Sequence, residues 1–311
     1  MTTKPHRVRS EPRREGQFLP GSFTNEGGTR AYRLYIPGGK HAQALPLVVM
    51  LHGCGQDSDG FAAATRMNVP AEREKFFVLY PEQAAQANPS RCWHWYKGED
   101  QVRGRGEPSI IAGMTREILS MHGIDAARVY VAGHSAGAAM AMVMGVNYPD
   151  LFAAIGVHSG LPYGVAHDLA SAFAAMQQGP GAGLFQRESV IPPVLNMPRA
   201  VPAIVFHGDR DTTVHPGNGD QVLAQWAAVH SGEPRPLQLT TNRSRVPMGY
   251  AYTRAAYHDA SGQALLEQWM VHGAGHGWSG GNPEVWYTEP RGPDASEEMV
   301  RFFRQHAQGE P

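Results

Sequence analysis

The chain has 311 residues, 42% hydrophobic and 18% charged, which suits a buried core and excludes wholesale disorder. A formal net charge of −1 excludes nucleic acid or an anionic membrane as a partner held by bulk charge. Thirty-six glycines and 24 prolines predict long irregular loops between the core elements.

Residues 1–16 are polar and basic and read as a flexible tail. Arg13-Arg14 is followed by Glu15-Gly16, a poor fit to a twin-arginine signal. With no signal peptide or membrane span in view, a cytoplasmic location is the expectation. Residues 17–311 read as one α/β domain in which apolar runs bounded by turn residues alternate with helical patterns. In chain order the strands are expected at 31–36, 47–51, 76–80, 128–132, 152–158, 203–207 and 266–271. The helices are expected at 59–73, 108–122, 136–147, 218–230 and 294–306. Continuous apolar strands such as Leu47 to Leu51 predict a mostly parallel sheet covered by helices on both faces. Two stretches, 161–200 and 231–256, fit no regular element and read as insertions.

The stretch Gly133-His134-Ser135-Ala136-Gly137 has the form Gly-x-Ser-x-Gly, but so does Gly277-Trp278-Ser279-Gly280-Gly281. Context separates them. A nucleophile at this motif needs a strand ending directly before it and a helix starting directly after it. Ser135 lies between an expected strand and a run of good helix formers; Ser279 leads into Asn282-Pro283. A helix amino terminus beneath Ser135 also favours developing negative charge there.

A serine needs a base, and the base an acid, in the chain order Ser, acid, His for this motif. Downstream of a buried strand, Gly208-Asp209-Arg210-Asp211 offers two acids, and residue chemistry leaves the choice open. Then come His272 and His276 after another strand, the second flanked by glycines in a bendable loop. Their i, i+4 spacing would suit a metal on a helix, but the glycines argue against a helix, and no metal is expected. Upstream, Leu47 to Leu51 ends in His52-Gly53-Cys54-Gly55. The backbone amides of Cys54 and Ala136 are the expected oxyanion-hole donors.

Taken together, "PLVVMLHGCGQ", "TRMN", "YPEQ", "CWHWY", "DQVRGRGEPSIIAGM", "RVYVAGHSAG", "YPDLFAAIGVHSGLPYG", "HGDRDTTVHP" and "GAGHGWSGG" make the chain resemble the polyhydroxybutyrate depolymerase family of esterases, relatives of feruloyl and acetylxylan esterases. The resemblance spans residues 30 to 282 and implies an α/β-hydrolase fold with catalytic Ser135, Asp211 and His276. Asp211 is chosen because the family's Gly-x-x-Asp-x-x-Val pattern falls on Gly208 to Val214. The implied activity is hydrolysis of short hydroxyacid esters such as 3-hydroxybutyrate oligomers, without metal or organic cofactor. Feruloyl or acetylxylan esters are the alternative. A binding protein that kept the fold without the chemistry is the alternative of another class.

His134 departs from the leucine usual before the family's nucleophile and is expected to point into the core. Cys54 and Cys92 fall in "HGC" and "CWHW" and are expected to lie close enough for a disulfide on the oxyanion loop, which would speak for an oxidising compartment. Trp93, Trp95, Tyr96 and Trp278 are candidate walls for an acyl pocket. The charged run Lys97 to Glu107 reads as a solvated loop, which the resemblance turns into a structural element beside the pocket.

Overall fold

The computed structural model describes residues 15–178, 199–229 and 236–309. Its strands are β1 (Gln17–Asn25), β2 (Gly28–Ile36), β3 (Leu45–Leu51), β4 (Phe77–Pro81), β5 (Ile124–His134), β6 (Ala154–His158), β7 (Ala203–Gly208), β8 (Gln238–Arg245), β9 (Ala251–His258), β10 (Ala264–His272), β11 (Trp278–Ser279) and β12 (Thr288–Glu289). The helices are α1 (Ser58–Thr65), α2 (Asn68–Glu74), α3 (Gly106–Met121), α4 (Ala136–Asn147), α5 (Leu169–Gln178), α6 (Gly217–Val229) and α7 (Ala295–Phe303).

The first ten strands form one sheet in the order β1-β2-β4-β3-β5-β6-β7-β10-β9-β8. From β4 to β10 every pairing is parallel, and the outer pairs on both sides are antiparallel. The apolar runs build this centre because both faces are covered. Leu47, Val49 and Leu51 of β3 enter one core with Ile111 of α3, Met142 of α4 and Trp226 of α6. Val48 and Met50 enter the other with Phe61 of α1, Ala71 of α2 and Met299 of α7. Residues Ala136 to Gly145 of α4 are all buried, so this helix is apolar on every side.

Three expectations need correction. The helix expected at 59–73 is two helices, because Arg66 closes α1 in the left-handed region at φ 53°. The stretch 231–256 is not an irregular insertion: β8 and much of β9 lie in it and extend the sheet antiparallel from β10. Likewise α5 occupies part of 161–200, while residues 179–198 and 230–235 lie outside the described residues, as does 1–14 of the expected tail. No helix among the described residues is long and apolar enough to cross a membrane.

Candidate active site

Strand β5 runs straight into Ser135, which sits at φ 56°, ψ −121° before α4 begins at Ala136. A non-glycine residue there is strained and holds only where its surroundings fix it. The fixing contacts are the Ser135 amide to the His158 carbonyl, 2.9 Å, and the Ala139 amide to the Ser135 carbonyl, 3.0 Å. Gly137 is demanded by packing, since a Cβ there would fall 2.1 Å from the Leu51 carbonyl oxygen. The first turn of α4 thus lies against the end of β3. The Ser135 side chain makes no hydrogen bond among the described residues.

The rival motif is structural. Ser279 is in β11, and its hydroxyl donates to the Pro293 carbonyl at 2.7 Å.

The structure separates the two acids. Asp211, buried, accepts from Nδ1 of His276 at Oδ2, 2.7 Å, and from the amides of Thr213 and Val214 at Oδ1, both 2.9 Å. Asp209 instead pairs with His272 at 2.9 Å and the Gly273 amide at 2.7 Å. His272 also meets the Thr253 hydroxyl at 2.8 Å, which ties β10 to β9. Close approach of the acid loop to the histidine loop needs Gly208, where a Cβ would meet the Ala274 and Gly275 carbonyls at 2.4 Å. Burial alone would raise the Asp211 carboxyl; hydrogen bonds from His207 and His276 win and hold it far below the usual carboxylate range. The segment 273–277 is a loop, held by the Gly275 amide donating to Glu289 at 2.8 Å.

His134 makes a contact that the sequence reading missed. Its Nε2 donates to the backbone carbonyl of His276 at 2.6 Å, so the residue before Ser135 touches the histidine loop directly. A second missed residue is His207, fully buried, whose Nε2 lies 3.3 Å from Asp211 Oδ2 and 3.0 Å from the Val214 carbonyl. Its only sequence signal was a histidine at the end of a buried strand.

After β3 the amides of Gly53, Gly55 and Gln56 are spent on Gln56, Ser90 and Gly53 respectively, and that of Cys54 is left out of the turn's bonding. Ala136 opens α4, so its amide has no partner within the helix. A disulfide joins Cys54 to Cys92 across 38 positions. The partner segment is fixed by Trp93 Nε1 donating to the His52 carbonyl at 3.1 Å and by Gln83, whose side-chain amide donates to the Cys92 carbonyl at 3.0 Å and whose backbone amide donates to His52 Nε2 at 3.0 Å.

Behind that segment, Glu107 is a buried hub. Its carboxylate accepts from the His94 amide at 2.7 Å, His94 Nδ1 at 2.8 Å, Arg30 at 3.3 Å and Gln83. Asp100 accepts the Glu107 amide at 2.6 Å. The run 97–107 is therefore not a solvated loop: two of its acids are buried and bonded. His94, Asp100 and Glu107 bring ligand-type atoms within 4.8 Å of one another. The Glu107 carboxylate is already spent on a guanidinium, an amide and an imidazole, which a cation would have to displace.

Of the four aromatics, Trp93, Trp95 and Trp278 are buried core residues rather than wall. Trp278 is 1% exposed, stacked on His158 at 4.9 Å and bonded to Ser296 through Nε1. Trp95 and Tyr96 form an edge-to-face pair at 5.5 Å, with Tyr96 only partly buried.

Residues 30–232 match the family described as "Esterase PHB depolymerase". The chain belongs to this family. It is 35% identical over 260 residues to the poly(3-hydroxyalkanoate) depolymerase C of Paucimonas lemoignei, covering 82% of this chain and 59% of that protein. It is 31% identical over 264 residues to the feruloyl esterase B of Neurospora crassa, covering 81% of this chain and 85% of that protein. The acetyl xylan esterase from Aspergillus awamori superposes with a TM-score of 0.66 at 22% identity, over 94% of this chain and 99% of that one. The fold is thus that of the α/β hydrolases.

Proposed function

We propose that the chain is a serine-dependent carboxylic ester hydrolase, with Ser135 as nucleophile, His276 as its base and Asp211 as the acid that orients the base. One observation carries the reading: the 2.7 Å bond of His276 to a buried aspartate, on a loop touching the strained turn that bears Ser135. Donation of the Nδ1 proton to Asp211 leaves Nε2 to take the Ser135 proton as the hydroxyl attacks an ester carbonyl. The amides of Cys54 and Ala136 receive the oxyanion, each such donor lowering the barrier by about 3 kcal/mol. His276 then protonates the leaving alcohol, and water releases the acyl group by the same route.

Similarity to the Paucimonas enzyme favours esters of short hydroxyacids, including soluble 3-hydroxybutyrate oligomers. Esters of aromatic acids are the second reading, favoured by the fuller coverage of the feruloyl esterase. Tyr96, only partly buried, remains the residue for the pocket wall. The Cys54–Cys92 bridge supports an oxidising compartment over the cytoplasm.

The test is hydrolysis of p-nitrophenyl esters of graded chain length by the wild type and Ser135→Ala. Loss of turnover in the variant supports the reading; equal rates overturn it. Hydroxybutyrate oligomers run against feruloyl and acetyl esters decide the substrate class.

A further inference from the structure

Two buried histidines face the His276 loop from below. His134 and His158 end the adjacent parallel strands β5 and β6 and are partners in their register. Each is 2% exposed, and their rings lie 5.4 Å apart. His134 Nε2 donates to the carbonyl of His276 at 2.6 Å, and the amide of Ser279 donates to His158 Nε2 at 2.9 Å. The two imidazoles therefore hold the same four-residue stretch, 276–279, by its first carbonyl and its last amide.

The pair is costly to bury. The neighbours of His158 are Trp278, stacked at 4.9 Å, and Phe206, stacked at 5.8 Å, and its Nδ1 has no partner among the described residues. Hydrocarbon side chains would fill such a floor without that penalty. What hydrocarbon cannot do is bond a loop backbone at two points. Both imidazoles are neutral, as these bonds require of His158: burial pushes His134 down to about 3 and His158 well below its ordinary range.

We propose that His134 and His158 are positioning residues, a two-point clamp that fixes the loop carrying His276 relative to the turn carrying Ser135. This inference rests on the triad reading above. The clamp acts on the imidazole through the backbone: His276 is held at its side chain by Asp211 and at its carbonyl by His134, so the ring has little freedom to swing from the serine. Displacement of such a group by about 1 Å can cost up to a hundredfold in rate.

The test is a set of variants assayed on p-nitrophenyl acetate: His134→Leu and His158→Phe, which keep bulk and lose the bond, and His134→Gln and His158→Gln, which return a polar group near the Nε2 position. The expected result for Leu and Phe is a kcat lowered roughly ten- to a hundredfold with KM unchanged. The Gln variants should recover most of it. A role in packing alone would not produce that recovery. Full kcat in a folded His134→Leu protein overturns the clamp, as does equal loss in the Leu and Gln variants. Should His134→Leu fail to fold, His158→Phe and His158→Gln decide by the same criteria. Ser135→Ala in parallel separates the two claims: if it is active, the triad reading falls and the clamp with it; if it is inactive while His134→Leu is fully active, the clamp falls alone.

Discussion

His207 and His276 converge on one oxygen, Oδ2 of Asp211, at 3.3 and 2.7 Å. The carboxylate is thus held by a fully buried imidazole on one side and by the proposed base on the other, with two amides on its second oxygen. An amide in its place has one acceptor oxygen, so it cannot serve the two imidazoles and the two backbone amides at once. Asp211→Asn should lower kcat on p-nitrophenyl acetate by about three to four orders of magnitude, with KM little changed. Steady-state kinetics on the folded variant check this.

The disulfide closes a long loop and anchors the turn that offers the Cys54 amide. Chain-entropy arguments put its contribution at about 3–4 kcal/mol for a separation of 38 residues. The Cys54→Ala/Cys92→Ala double variant should lose stability of that order in urea unfolding, and its kcat should fall more than its KM rises. A variant with unchanged kcat would remove the proposed oxyanion turn from the bridge's duties.

Glu107 joins Arg30, Gln83 and His94 inside the protein. Truncation leaves the buried guanidinium without a counter-charge. Glu107→Ala should destabilise by about 3–5 kcal/mol, read as a lower urea midpoint.

Two buried groups give opposite pH signs. His134 is pushed down to about 3, below its ordinary 6.5, so the unfolded chain binds the proton more tightly. Its contribution is present above pH 6.5 and is lost as pH falls toward 3, at about 1.4 kcal/mol per pH unit. His134→Leu should therefore gain on the wild type by about 2–3 kcal/mol between pH 7.5 and pH 4.5. Asp100 is pushed up to about 6 by burial, above its ordinary 3.8. Its contribution is full below 3.8 and is lost as pH rises through 6. Asp100→Asn keeps the acceptor for the Glu107 amide and should be more stable than the wild type by about 2 kcal/mol above pH 6, with the gap closing below pH 4. Unfolding across this pH range measures both.

The centre of the fold was legible because parallel strands buried on both faces read as unbroken apolar runs, and Ser135, Asp211 and His276 all follow such runs. The antiparallel edge beyond β10 was not. All eight residues of β8, "QLTTNRSR", are exposed, so it carries no apolar alternation and owes its place to backbone pairing with β9. The break between α1 and α2 rests on Arg66 in a conformation that usually signals itself by glycine; Pro70, in the first turn of α2, was the available sign of a new start. The burial of Glu107 is not legible in the charged run, because it depends on distant partners, Arg30 and Gln83, that the run does not contain. For His134 the expected direction, into the core, was right, but nothing local shows that the core there ends in the carbonyl of residue 276.

The most direct test of the central claim is covalent. After treatment with a fluorophosphonate that phosphonylates activated serines, peptide mapping by mass spectrometry should find one adduct, on Ser135, absent from Ser135→Ala and strongly slowed in Asp211→Asn. An adduct on another serine with Ser135 unmodified, in protein that hydrolyses p-nitrophenyl acetate, would contradict the account.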